Sequence, residues 1–232
     1  MSGLVLLLRP EPGASASAER ARRLGLEAVA APLFVVRPVA WDAPDALSFD
    51  AILLTSASAA RAAGPQRERF LRLPCHTVGE ATAAAAREAG FSDVRTGPAD
   101  GAAALAEISG ERVLHLCGRD HIALERRGLT VERRIVYAAD AVEALPAEAA
   151  AALDRGALAL IHSPRAGAVF AWLADRAGVP RASVSLAAIS EAAAVATGAG
   201  WRSIACAGRP RDEALLELAR QLCQTADGRV RE

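Results

Sequence analysis

The stretch ALALIHSPRAGAVF, residues 157–170, decides the fold of this chain. Its apolar run at 157–161 predicts a buried strand, and the small residues that follow Pro164 have helical spacing. Pro164 suits the first position of a helix, so the stretch indicates a strand, a turn and a helix in succession. Such a turn leaves backbone N–H groups free at the helix N-terminus, where a carboxylate or a phosphate can bind.

The same pattern of a short apolar run followed by an alanine-rich segment recurs along the chain. It predicts strands at residues 4–8, 27–31, 33–38, 50–54, 76–78, 93–96, 112–116, 130–137, 157–161, 184–189 and 203–206. Helices are predicted between them, including 14–24, one ending at Ala89, one beginning at Ala99, a short one beginning at Asp120, and one near 147–154. Strands that alternate with helices indicate an α/β fold with parallel sheets.

An internal repeat divides the chain into two similar halves. Residues 51–61, AILLTSASAAR, echo the stretch around Ser163, and residues 77–91, TVGEATAAAAREAGF, resemble 188–201, AISEAAAVATGAGW. The copies lie about 110 residues apart, as expected for two copies of one lobe. They are cyclically shifted, because residues 4–10 pair best with 113–118.

The shift predicts a discontinuous first lobe. It comprises residues 1–32 and 140–232, the second lobe comprises 42–131, and the strands at 33–41 and 132–139 form a two-stranded linker between them. We expect a hinge at the linker and a ligand in the space between the lobes.

Composition excludes several classes of protein. The 27 basic and 27 acidic residues balance, which gives no global attraction to nucleic acid or to an anionic membrane. The four cysteines form no CxxC pair and the four histidines have no metal-ligand spacing, so we expect buried thiols in a reducing compartment and no metal site. The first apolar run is too short for a signal peptide, and we expect a soluble, cytoplasmic protein.

Small and oxygen-bearing residues follow the predicted strands. In open parallel sheets the ligand lies beyond the carboxyl ends of the strands, so these turns are the candidate substrate-binding groups, although each can also act as a helix cap. The candidates are Arg9, Thr55, Ser56, Ser58, Gly79, Thr82, Gly118, Arg119, Ser163, Arg165 and Ser190. No P-loop and no GxSxG motif is present, so these residues alone indicate a two-lobed α/β binder or enzyme for a polyanion.

An ordered set of segments resembles the uroporphyrinogen-III synthase family over nearly the whole chain. The segments are LLRPEP (7–12), LLTSASA (53–59), TVGEATAAAAREAGF (77–91), CGRD (117–120), IVYAAD (135–140), HSPRAG (162–167) and AISEAAAVATGAGW (188–201). The resemblance implies two flavodoxin-like lobes with a two-stranded linker, and a cofactor-free lyase of haem biosynthesis. Its reaction is the cyclisation of hydroxymethylbilane, a linear tetrapyrrole, to uroporphyrinogen III, with loss of water and inversion of ring D. The sequence has no coiled coil and no large apolar helix face, so we expect a monomer.

The resemblance also suggests roles for individual residues. The tyrosine of the family's linker falls on Tyr137, the sole tyrosine here, which could protonate the departing hydroxyl or simply pack on the linker. Where the family often has threonine, this chain has Ala192 and Ala193, so Ser190 is the remaining hydroxyl of that turn. Those alanines also leave open a catalytically degraded domain of a larger assembly. A two-lobed polycarboxylate-binding protein without catalysis is the alternative from a different class.

Overall fold

A computed structural model describes residues 3–97 and 100–228, in which eleven strands alternate with helices. The strands are β1 (Leu4–Leu7), β2 (Glu27–Ala30), β3 (Phe34–Pro38), β4 (Ala51–Leu54), β5 (Cys75–Val78), β6 (Val94–Gly97), β7 (Arg112–Gly118), β8 (Thr130–Ala141), β9 (Leu158–Ile161), β10 (Ser185–Ala188) and β11 (Ser203–Cys206). The α-helices are α1 (Gly13–Arg23), α2 (Ala57–Ala62), α3 (Glu80–Glu88), α4 (Gly101–Ala106), α5 (Ala147–Asp154), α6 (Pro164–Arg176), α7 (Glu191–Val195) and α8 (Asp212–Gly228). Short 3₁₀ turns occur at Ala46–Ser48, Pro65–Phe70 and Arg181–Ser183.

The chain divides into two compact units. Unit 1 contains residues 1–35 and 141–232, and unit 2 contains residues 36–140. One sheet has the strand order β11-β10-β9-β1-β2 and the other has the order β3-β8-β7-β4-β5-β6. Read from β6 to β8, the second sheet repeats the first strand for strand in the pairing that the internal repeat predicts. The predicted α/β fold of two similar parallel sheets is therefore confirmed.

The segments expected to form a two-stranded linker include β3 and β8, which are hydrogen-bonded neighbours in the six-stranded sheet, and β8 runs on to Ala141. The predicted helix start at Ala99 lies outside the described residues, and α4 begins at Gly101. The short helix predicted from Asp120 is wrong, since the segment that follows Gly118 is a loop. There the His121 Nδ1 atom lies 3.0 Å from the Gly118 carbonyl oxygen, a side-chain bond to the backbone that competes with helix formation.

The core of unit 2 occupies both faces of its sheet. Ile52 and Leu114 belong to one buried cluster, and their neighbours Leu53 and Val113 belong to another on the opposite face. Alternate residues of a strand point to opposite faces, so a strand covered on both sides must be apolar at nearly every position. This is why continuous apolar runs marked the strands in the sequence.

A partly buried carboxylate connects several elements of unit 1. Asp212, the first residue of α8, accepts hydrogen bonds from Ser17 Oγ (2.8 Å), from Arg20 Nη2 (2.6 Å) and from Arg9 Nη1 (3.2 Å). The Nε2 atom of His162 lies 2.8 Å from the same carboxylate. Burial alone would raise the pKa of Asp212, but the hydrogen bonds from His162, Ser17 and Arg20 outweigh it and hold the pKa well below its ordinary range. The carboxylate thus ties α8 to α1 and to the turns after β1 and β9.

Replacing Asp212 with alanine should therefore destabilise the protein. The change leaves Arg9, Arg20 and His162 partly buried without their shared acceptor, at a cost of about 3 kcal/mol. Denaturant unfolding measures the free energy of unfolding, and Glu213→Ala on the same turn of α8 is the matched control. Equal stabilities of the two variants would contradict a central role for Asp212.

Candidate active site

A cavity of about 520 Å³ lies within unit 2, beyond the carboxyl ends of its central strands. Its polar wall includes Thr55, Ser56, His121 and Tyr137, together with two carboxylates, Asp100 and Asp120. Its apolar wall comes from Val78, Ile122 and Leu124. The loop after β7, where the sequence pattern wrongly predicted a helix, thus supplies a large part of the lining.

The ring of Tyr137 lies directly on Gly118. The pairing of β7 with β8 shifts register between Cys117 and Gly118, which brings Tyr137 opposite Gly118. A Cβ atom at Gly118 would lie 2.5 Å from Cζ of the tyrosine and 2.8 Å from its hydroxyl oxygen. Only glycine permits this close approach, which sets the half-buried phenol at the cavity wall.

Two adjacent hydroxyls follow β4 at the cavity. The Ser56 hydroxyl caps α2 by accepting a hydrogen bond from the Ser58 backbone N–H at 3.2 Å. The Thr55 Oγ1 atom lies 3.1 Å from Nε2 of His115, a buried residue of β7. One hydroxyl is therefore engaged by its own helix and the other by a neighbouring strand.

The imidazole of His115 is held neutral by its surroundings. Burial, followed by the nearby charges of His121 and Arg133, lowers its pKa from 6.5 to about 4. Arg133 lies opposite His115 in the pairing of β7 with β8. A neutral ring can present one nitrogen as a donor and the other as an acceptor.

The other candidates of unit 2 do not line the cavity. Ser58 lies in the first turn of α2, and Thr82 on α3 is only 5 % exposed. Gly79, with a φ of 74°, precedes α3 next to the lining residue Val78. Arg119 donates from Nη1 to Asp140 Oδ1 at 2.9 Å, and Arg37 donates to the Oδ2 atom of the same carboxylate.

The four candidates of unit 1 follow strands β1, β9 and β10 of its sheet. The Ser163 hydroxyl accepts from the Ala166 N–H at 3.1 Å, and the Ser190 hydroxyl accepts from the Ala193 N–H at 3.3 Å. The guanidinium of Arg165 lies 4.8 Å from the centre of the Phe34 ring, and Arg9 is engaged by Asp212. These side chains share one edge of the sheet, and each has a partner within unit 1.

Sequence reasoning missed His115 and Asp100 as parts of the site. A polar residue inside the apolar run of β7 was the available signal for His115.

Among residues 3–97 and 100–228, no group of three or more His, Cys, Asp or Glu side chains could hold a metal ion. Burial raises the pKa of the Cys75 thiol to about 12 and that of Cys117 to about 11. Within the same ranges, every helix is too short or too polar to cross a membrane.

The buried, neutral His115 should make the protein sensitive to acid. Folding lowers the pKa of His115 from 6.5 to about 4. Between these two pH values the imidazole is protonated in the unfolded chain and neutral in the folded protein, so acid favours unfolding. The free energy of unfolding should fall by about 3 kcal/mol from this group as the pH drops through that window. His115→Leu should flatten the profile when stability is measured by denaturant at each pH, while His76→Leu on β5 should keep most of the slope. Parallel profiles for wild type and His115→Leu would contradict the expectation.

Comparison with known proteins places the chain among tetrapyrrole-forming enzymes. Residues 15–217 match the family model described as uroporphyrinogen-III synthase HemD. The fold is similar to that of uroporphyrinogen-III synthetase from Helicobacter pylori, with 16% identity, a TM-score of 0.66, and coverage of 96% of this chain and 100% of that one. A mutant uroporphyrinogen III synthase from the extremely thermophilic bacterium Thermus thermophilus aligns with 16% identity and a TM-score of 0.54, over 96% of this chain and 99% of that one. No match was found among curated protein sequences.

Proposed function

Because the chain belongs to the uroporphyrinogen-III synthase family, we propose that the unit 2 cavity receives the reacting end of its substrate, with Tyr137 as the proton donor. The function is the cyclisation of hydroxymethylbilane to uroporphyrinogen III, with loss of water and inversion of ring D. The enzyme is a cyclising lyase of haem biosynthesis. The family match does not favour a polycarboxylate-binding protein without catalysis.

One observation carries the assignment of Tyr137: its phenol lies on Gly118 at the cavity wall. Loss of the substrate hydroxyl requires a proton at the departing oxygen, and a tyrosine O–H within hydrogen-bond reach can supply it. The departure leaves a delocalised cation on the substrate. The carboxylates of Asp100 and Asp120 line the same cavity, and their negative charge suits that cation.

The substrate also carries an acetate and a propionate on each pyrrole, and we assign their binding to the turns after the strands. In unit 1 the turns carry Ser163 and Arg165 at the N-terminus of α6, Ser190 at α7, and Arg9 after β1. The turns of unit 2 supply Thr55, Ser56, Ser58, Gly79, Thr82, Gly118 and Arg119. Helix N-termini and guanidinium groups both attract carboxylates, which supports the assignment of the substrate carboxylates to these turns.

The remaining features are proposed on chemical grounds. Ring closure needs no oxidant or reductant, so we propose an enzyme without a cofactor. Its balanced charge suits a small-molecule substrate with no nucleic acid or membrane partner, and we propose a cytoplasmic monomer. Residues 1–32 with 140–232 and residues 42–131 are proposed as the two repeated lobes, with linkers at 33–41 and 132–139. The repeated strand order of the two sheets supports this division.

Analysis of the product isomers tests the function. Freshly prepared hydroxymethylbilane is incubated with the protein, and the products are oxidised and separated into isomers III and I. Isomer III should predominate, because unassisted closure joins the ends without inverting ring D. Isomer I alone, formed at the rate seen without protein, would refute the synthase function.

Replacing Tyr137 with phenylalanine tests the proton donor. The change removes one hydroxyl and should slow turnover by about 100-fold, the lower end of the usual contribution of a positioned acid. Gly118→Ala keeps the phenol but displaces its ring, and should cause a comparable loss. Gly208→Ala is the matched control, since a Cβ at Gly208 meets no atom within 4 Å. Unchanged turnover in Tyr137→Phe would reduce Tyr137 to a packing residue.

A further inference from the structure

The Thr55 side chain contacts His115, a residue that does not line the cavity. His115 is 1% exposed, and its Nε2 atom lies 3.1 Å from the Thr55 hydroxyl oxygen. His115 lies opposite Leu53 in the pairing of β7 with β4, and Thr55 is two residues beyond Leu53, on the same face of the sheet. The contact is therefore set by strand register and not by a flexible loop.

The charges around His115 keep its ring neutral. Arg133 faces it from β8, where its Nη2 atom donates to the Leu124 carbonyl at 2.6 Å. The His121 ring packs edge-on against it, with the ring centres 6.3 Å apart. Two neighbouring groups that are or can become cationic oppose a proton on His115, in addition to the cost of burying a charge.

The surroundings of the Nδ1 atom of His115 indicate which of the two ring nitrogens carries the proton. The Nδ1 atom is buried and has no hydrogen-bond partner. A buried N–H without an acceptor is rarer in proteins than an under-satisfied acceptor, so Nδ1 carries the lone pair and Nε2 carries the hydrogen. The Nε2–H group then donates to Thr55 Oγ1, and the hydroxyl proton of Thr55 is left to donate elsewhere.

We propose that His115 is a positioning residue that makes the Thr55 hydroxyl a fixed hydrogen-bond donor to a substrate carboxylate. The proposal rests on the proposed function, in which Thr55 contacts the substrate. Among the described residues that line the cavity there is no arginine, and the Ser56 hydroxyl oxygen accepts a backbone N–H of α2. A carboxylate in this cavity therefore depends on oriented hydroxyl donors, and an imidazole that always donates to Thr55 orients one of them.

A double-mutant cycle tests the proposal. His115→Leu, Thr55→Val and the double variant are compared with wild type for kcat and KM in the isomer III assay. Thr55→Val and His115→Leu should each raise KM by about tenfold with little change in kcat, because a bond to a substrate carboxylate is made in the ground state and the transition state alike. The double variant should match Thr55→Val, since His115 acts only through Thr55. His115→Gln keeps an N–H donor, so its KM should lie closer to the wild-type value than that of His115→Leu.

Separate results identify separate failures. Absence of isomer III from wild type would refute the function itself, and a normal KM in Thr55→Val would refute both the assignment of Thr55 and the role of His115. A raised KM in Thr55→Val with a normal KM in His115→Leu, or a full further effect of His115→Leu in the double variant, would overturn this inference alone. His76→Leu is the control for loss of a buried strand histidine outside the cavity, and its KM should stay at the wild-type value.

Nitrogen NMR of the imidazole provides a readout that is independent of activity. In the wild-type protein the His115 ring should be neutral, with its proton on Nε2, and Thr55→Val should shift that N–H signal. This measurement decides the question even if His115→Leu fails to fold. A proton on Nδ1 would make Thr55 the donor to His115 and would overturn the inference.

Discussion

The parallel pairing of β7 with β8 positions the phenol and the buried imidazole on which the proposed site in unit 2 depends. The ladder sets His115 opposite Arg133, and its register shift omits Val136, so that Tyr137 instead of Val136 comes level with Gly118. A regular ladder would carry the tyrosine one residue further along the sheet, beyond the glycine that accommodates its ring. The bulge is therefore the local irregularity on which the position of the phenol depends. It also marks the end of the ladder, where the loop that lines the cavity begins.

Capping and ligand binding are compatible at the turns after the strands. At Ser56, Ser163 and Ser190 the hydroxyl oxygen accepts a backbone N–H, which uses a lone pair and not the hydroxyl proton. The proton remains free to donate to a carboxylate at the same helix N-terminus. A serine cap can thus stabilise its helix and bind an anion, so the two interpretations that the sequence left as alternatives can hold together. The Arg9 guanidinium has five N–H donors, and its Nη1 atom donates to Asp212 within unit 1.

Local pattern predicted most of the fold, and tertiary contacts account for what it missed. Apolar runs identified the strands because both faces of each sheet are covered, and the repeat predicted the matching strand orders. The pattern placed Thr55 and Gly118 at the ends of strands of one sheet, and the family resemblance added Tyr137 to the site. It did not identify Asp212 as the partner of Arg9, because 203 residues separate them. It also failed for the loop after Gly118, whose conformation depends on bonds to the backbone that periodicity does not encode.

The charges that line the cavity explain why a neutral His115 suits the proposed reaction. The lining contains Asp100 and Asp120, and arginine is absent from its described members. A substrate that loses hydroxide here becomes cationic, and a second fixed positive charge at this wall would oppose that step. Burial and Arg133 keep His115 uncharged, so it can orient Thr55 through a hydrogen bond without adding positive charge beside the forming cation. Under the proposed roles, an oriented hydroxyl thereby replaces the positive charge that would otherwise bind the substrate carboxylate, without opposing the departure of the substrate hydroxyl.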